Sequence, residues 1–346
     1  MRRIAILLFL LWCIMLPANA LEIQAPEVPD SGKLWMPENS ESFADGLREL
    51  FDRGMEQLVP ELRTASQISA KLLGIVLLAS VARSVTGSVK TVCTLVEMVA
   101  ISAALLGQTG ALLTLGMDTV REITDYGKLL LPVMTAAVAA QGGMTSAAAL
   151  YTGTAVFNAV LSSVIASVIM PVIRLYLVVV MVGAVTGEDY LKRIADFLKS
   201  SSAWIMKTLM MVFTTYLGIT GVVSGTTDAA ALKAAKVTIS TVVPVVGSIL
   251  SDASEAVLVG AGLIRNAAGI YGILAVLAVF LGPFLRLLAH YLVLKLTGLV
   301  CAIFAGKQTT MLMDGFSTAM GFLLAVTGGC CMMVLVSTVC FMRSVQ

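Results

Sequence analysis

PVMTAAVAAQGGMTSAAALYTGTAVFNAVLSSVIASVIMPVIRL, residues 132–175, and PVVGSILSDASEAVLVGAGLIRNAAGIYGILAVLAVFLGPFLRL, residues 244–287, decide the fold. Both are long and apolar, and both follow one pattern: proline, 38 residues, proline, two residues, arginine. Pro132, Pro171 and Arg174 correspond to Pro244, Pro283 and Arg286 at a constant offset of 112 residues. Val133/Val245, Val164/Val276, Ala166/Ala278 and Leu175/Leu287 are identical at the same offset. Aliphatic matches arise by chance in an apolar chain, but proline and arginine are rare there. The pattern therefore reads as an internal repeat, which in a membrane chain means two related helix bundles meeting at a shared axis.

Composition sets the class. The chain is 58% hydrophobic and 13% charged, with a mean hydropathy of +0.94, where a soluble domain carries about 25% charged residues. Apolar runs recur from residue 68 to residue 341, and runs of about 20 such residues are candidate spans. Hydrocarbon offers the backbone no hydrogen bonds, so these runs must be helices rather than an open sheet. The expected fold is all-α: a polytopic membrane helical bundle with two tandem, parallel repeats. Abundant glycine and alanine permit close helix–helix approach in lipid.

The net charge of +2 hides a split. Residues 21–70 carry ten acids and four bases, the bases being Lys33, Arg48, Arg53 and Arg63. No polybasic tract exists, so nucleic-acid binding has no support. Residues 1–20 read as a cleaved secretory signal: Arg2 and Arg3, a short apolar run, then Ala18-Asn19-Ala20. The remaining cysteines, Cys93, Cys301, Cys330, Cys331 and Cys340, lie in apolar segments without metal-ligand spacing. No structural disulfide is expected.

Organisation follows from hydropathy. Residues 21–67 form an acidic extracytoplasmic segment with an amphipathic helix, in which Phe43, Leu47, Leu50, Phe51 and Leu58 share a face. Residues 68–128 hold two spans, 68–82 and 91–107, and an interfacial helix at 110–127. The first membrane repeat covers residues 129–223: a short apolar segment ending in Gln141-Gly142-Gly143, spans 147–168 and 170–186 parted near Pro171, an amphipathic helix at 187–200, and a span at 202–223. The second repeat covers residues 224–346. It holds a short segment at 241–251 with Pro244 and Gly247, polar Ser251–Glu255, spans 256–281 and 284–304, and a final span at 318–341. The short segments either cross or re-enter. Lys and Arg in short loops favour the inside; crossing puts Lys192, Arg193 and Lys199 inside with Arg83 and Lys90, and re-entry puts them outside.

No catalytic pattern is present: GxxxxGK[ST], HExxH, GxSxG and CxxC are all absent. Neither an enzyme nor a cofactor is expected. The single histidine, His290, reads as a helix–helix hydrogen-bonding residue more readily than as a ligand. Intramembrane charge is the better clue, because such groups are costly and tend to face a bundle interior or water. The candidates are Glu97, Arg174, Lys207, Arg286 and Lys295. Arg174 and Arg286 either snorkel to a headgroup or line a polar path, paired with Glu97. The broken stretches around Gly142 and Gly143, and around Asp252 and Glu255, are either part of that path or plain surface loops. Arg265 and Asn266, with Pro132, Pro171, Pro244, Gly247 and Pro283, complete the candidate path or packing residues. Only the second copy carries Asp252, Glu255 and Arg265, so the path is expected to be asymmetric.

LPVMTAAVAAQGGMTSAAAL, residues 131–150, and VVPVVGSILSDASEAVLVGAGLIRNAAGIYGI, residues 242–273, resemble the stage III sporulation protein AE family. The likeness is strongest from Pro132 to Ala147 and at Val243–Gly247, with Asp252, Glu255 and Asn266 following. It covers about residues 65–345, and residues 21–64 match nothing in it. The resemblance implies an endospore-forming bacterium and a multi-pass protein of the mother-cell membrane that surrounds the forespore. It implies partners among the other stage III A-operon proteins and, through them, forespore protein Q, in a channel or feeding-tube complex needed for late forespore gene expression. A lipid bilayer is the surrounding medium, and self-association is left open. The family offers no catalytic residues to carry over.

Overall fold

Apolar segments that cannot bond water close their hydrogen bonds within helices, and the described residues are helical with short connections. The structure, a computed structural model, describes residues 26–37, 43–85, 90–141, 143–242 and 247–343; for 90, 218–242, 247–266 and 343 it describes the backbone alone. The elements are α1 (Asp30–Lys33), α2 (Phe43–Val85), α3 (Lys90–Ala140), α4 (Met144–Val164), a π-helical turn (Ile165–Ile169), α5 (Met170–Thr186), α6 (Asp189–Val242), α7 (Gly247–Phe304) and α8 (Lys307–Arg343). Five rods among the described residues are long and apolar enough to cross a membrane, with α4, the π turn and α5 forming one of them. The protein is a multi-pass helical membrane protein.

The rods are longer than the spans expected from hydropathy, and several expected breaks are absent. Residues 91–107, 110–127 and 129–140 form the single 51-residue helix α3. The charged middle of α3 stays helical because its polar face is exposed and internally paired. Arg121 lies 3.7 Å from Asp118, and Lys128 lies 2.7 Å from Asp125. Residues 187–200 and 202–223 likewise merge into α6, and 256–281 and 284–304 into α7. Ser251–Glu255, expected as a polar break, lies inside α7. The first expected break is present: α3 ends at Ala140, Gly143 caps α4, and the Gly143 amide bonds the Val138 carbonyl at 3.1 Å.

Prolines do not part the spans. Pro60, Pro132 and Pro283 lie inside α2, α3 and α7. Pro171 lies in the first turn of α5, within a continuous rod. Proline lacks an N–H and its ring crowds the carbonyl four residues back. The chain relieves this by widening the preceding turn, where the Met170 amide bonds the Ile165 carbonyl five residues earlier. The two copies of the proline pattern also differ in where helices break. Twelve residues separate Pro132 from Thr145 in a stretch that includes the α3–α4 turn, whereas α7 starts at Gly247 and runs unbroken through Pro283. Pro244 itself lies outside the described residues.

The core sits on α3 and α8. Helix α8 packs against α3, α4, α5, α6 and α7, so it is apolar on every side: Leu312, Phe316, Ala319, Met320, Leu323 and Val334 are all buried. Small residues set the close approaches. A Cβ at Gly315 would overlap Val180 of α5, and one at Gly272 of α7 would lie 2.6 Å from Leu130 of α3. Deeper in α8, past its first turn, buried hydroxyls bond back to their own helix, as with Thr327 to the Leu323 carbonyl at 2.8 Å and Thr338 to the Val334 carbonyl at 2.9 Å. They are packing groups rather than the lining of a polar path. All five cysteines after residue 90 are free.

Candidate functional site

Two helix connections come together at one end of the bundle. There α5 stops at Gly187, whose φ of 74° gives the left-handed cap that favours glycine, and α6 starts two residues later at Asp189. Nearby α7 ends at Phe304 and α8 begins at Lys307. Between these ends opens a vestibule of about 1140 Å3, into which Arg83, Lys192, Lys295, Lys307, Glu188 and Asp314 all project along its lining. The basic stretches around Arg83 and Lys192 therefore share one end of the molecule. Two rods, α3 and the α4–α5 rod, join them, where hydropathy counted four crossing segments.

The inner wall of the vestibule is held by a buried ion pair. Glu97, on the first turns of α3, is 1% exposed. Its carboxylate pairs with the Arg83 guanidinium from the end of α2. The Thr309 hydroxyl of α8 donates to its other oxygen at 2.9 Å. A second Arg83 nitrogen donates to the Phe304 carbonyl at 3.4 Å, one of the carbonyls that a helix C-terminus leaves without an internal partner. The end regions of four helices are thus tied through three side chains, Arg83, Glu97 and Thr309. At the rim, Lys295 of α7 and Asp314 of α8 pair at 2.5 Å, both partly exposed. The arrangement offers a recess carrying both signs of charge beside a dry, paired carboxylate, suited to admit polar solutes. Among the described residues, no group of His, Cys, Asp or Glu is placed to hold a metal ion.

The candidate residues read from the sequence are scattered. Glu97 lies behind the vestibule lining, paired with Arg83 of that lining rather than with Arg174 or Arg286. Arg174 is exposed on α5 beside exposed Leu175 and Val178, on a helix that packs on α3, α6 and α8. Arg286 lines a separate recess of about 280 Å3 with Gln108 and His290. His290 is 3% exposed; its Nδ1 donates to the Arg286 carbonyl at 2.8 Å and its Nε2 accepts from Gln108 of α3, a helix-to-helix link. Lys207 is exposed on α6. Pro132 is exposed on α3, and Gly143 is buried in the α3–α4 turn. Gly247 opens α7; Asp252, Glu255, Arg265 and Asn266 lie on its backbone, with their side chains outside the description. Gly142 lies outside the described residues, as do Pro244 and residues 1–25.

Two residues that matter here did not stand out in the sequence. Arg83 read as a loop-flanking charge, yet it lies 14 residues from Glu97 across the short α2–α3 connection and pairs with it. Thr309 is 212 residues from Glu97, and nothing local marks it.

The family described as stage III sporulation protein AE (spore_III_AE) matches residues 36–344. Stage III sporulation protein AE of Bacillus subtilis (strain 168) is 22% identical over 208 residues, 60% of this chain and 52% of that protein. The chain thus spans about half the length of this curated relative. No solved structure matches.

Proposed function

Because the chain belongs to the stage III sporulation protein AE family, and so serves sporulation, we propose that it is the membrane-embedded core of a channel complex linking mother cell and forespore. The vestibule is the mouth of its polar path, and the role is non-catalytic. The carrying observation is the 1140 Å3 opening between the ends of α5 and α7 and the starts of α6 and α8. Supporting it, Glu97 is a buried carboxylate in an apolar run, paired with Arg83 of the vestibule lining, the kind of group that membrane chains place beside a bundle interior or water. The clustering of Arg83, Lys192 and Lys307 there favours the cytoplasmic side for this mouth. Past Ser317 the core of α8 is filled by Met320, Leu323 and Val326, so a through path requires α8 to move or further subunits to complete it. The partners in this reading are the other stage III A-operon proteins and, through them, forespore protein Q, in the mother-cell membrane around the forespore.

A Gly298→Trp variant tests the reading. A Cβ at Gly298 meets only Met313 Cβ, at 3.6 Å, so an indole there projects into the vestibule without forcing helices apart. The expected result is a fall of about tenfold or more in late forespore gene expression, on the order expected when binding or passage is blocked outright, with normal amounts of protein in the membrane. Normal expression from a normally accumulating variant would sink the conduit.

A second reading is a non-conducting platform that seats ring and ATPase partners. Rod length favours it. Helices of 43, 51 and 58 residues extend about 65–87 Å at 1.5 Å per residue, against a hydrocarbon core of about 30 Å. Much of the bundle therefore stands outside the hydrocarbon, available to other proteins. Under this reading Gly298→Trp is silent.

A further inference from the structure

We propose that the outward ridge of α2, Phe43 to Val59, is a docking surface for a basic amphipathic helix of a partner protein, on the aqueous side opposite the vestibule. Phe43, Leu47, Phe51, Met55 and Val59 recur every fourth residue, a spacing that aligns side chains along one ridge of a helix. They are 40%, 44%, 66%, 52% and 69% exposed. Exposed apolar residues elsewhere, such as Leu78 and Val81, lie in the apolar C-terminal part of α2, where lipid covers them. The ridge differs because Asp45, Arg48, Glu49, Asp52, Arg53, Glu56, Glu61 and Arg63 interleave with it or follow it. That density of charge keeps this half of α2 in water, where an apolar ridge of this length marks an interaction site.

The helix cannot turn to bury the ridge. The row next to it, Gly46, Leu50 and Gly54, is buried. Leu50 packs with Leu274 and Ala278 of α7, and a Cβ at Gly54 would already touch Leu281 at 3.4 Å. Arg53 fastens the same side, donating to the carbonyls of Leu34 at 3.2 Å and Met36 at 3.1 Å and pairing with Glu49 at 2.5 Å.

The charges beside the ridge name its occupant. Asp45, Asp52 and Glu56 are exposed along it, and Glu27 is exposed on the neighbouring segment. Between residues 43 and 59 the single exposed base is Arg48, since Arg53 is engaged. An acidic border repels anionic lipid headgroups, and a rod that continues into the membrane cannot also lie along its surface. It equally disfavours a second copy of the same acidic ridge. It fits a helix that lays apolar anchors on the ridge and sets Lys or Arg against Asp52 and Glu56. This assignment holds whether or not the vestibule conducts.

The test uses the full-length chain in sporulating cells with photoreactive benzoylphenylalanine in place of Phe51, and the adduct is mapped by mass spectrometry. The expected adduct lies in a basic amphipathic helix of another protein. It should fall about tenfold when Asp52→Lys and Glu56→Lys are added, the scale of reversing two complementary contacts, with protein level unchanged. The proposal is overturned by an adduct with lipid alone, with a second copy, with residues 1–25 of this chain, or with an acidic or uncharged segment. It is equally overturned by no adduct, or by an adduct indifferent to the charge reversals. Because the readout is the adduct and not forespore gene expression, its failure is distinct from failure of the conduit.

Discussion

Glu97 shows what one residue reveals and what it hides. An acid in an apolar run is visible in any reading of the sequence, and its cost in hydrocarbon predicts a partner. The choice of partner is geometric. Arg174 and Arg286 stand out because they recur, but the structure supplies Arg83, delivered by the turn between α2 and α3. Since the Glu97 side chain is 0% exposed and that of Arg83 18%, removing one partner strands a buried charge. Arg83→Ala is expected to destabilise the solubilised protein by about 3–5 kcal/mol. The double variant Arg83→Met, Glu97→Leu should regain most of that loss, because an apolar pair of similar volume replaces a desolvated ion pair. Thermal unfolding in detergent reads both. A double variant as unstable as the single one would show that the pair is not isolated from other contacts.

At the scale of elements, local rules located helices and misplaced their ends. Proline punctuates soluble helices, which makes Pro171 and Pro283 read as turns. In hydrocarbon the alternative to a helix is an unbonded backbone costing several kcal/mol per group, so the chain keeps its helix and absorbs Pro171 with a π turn at Ile165–Ile169. If Pro171 marks no turn, Pro171→Ala should leave accumulation and sporulation unchanged, since it restores one backbone hydrogen bond in a continuous rod. Loss of the protein from the membrane would contradict the continuous α4–α5 rod. The amphipathic helix after residue 42 was legible as well, but not its division of labour. Of its apolar residues Leu50 is buried while Phe43, Leu47 and Phe51 face outward, because Gly46 and Gly54 let α2 approach α7 along a different row.

At the scale of the whole molecule, the rods alternate so that Arg83, Lys192 and Lys307 meet at one end, and the N-terminal half of α2 lies at the other. Single cysteines in a cysteine-free background check this. Asp45→Cys should react with an impermeant thiol reagent applied from the extracytoplasmic side, while Tyr190→Cys and Lys307→Cys remain protected until the membrane is opened. Labelling of positions 45 and 190 from the same side would refute the arrangement.

By itself the sequence determined the class, the helical secondary structure and the acidic N-terminal segment, because these rest on composition, hydropathy and local pattern, and it showed the family through its likeness to known members. The tertiary structure alone decided that the spans fuse into long rods, that Glu97 pairs with Arg83 and Thr309 and not with Arg174 or Arg286, and that α2 leaves an apolar ridge exposed. Those outcomes depend on which helix faces which and at what height. Glycine contacts and charge pairs between residues as distant as Glu97 and Thr309 set that register, and no local pattern records it.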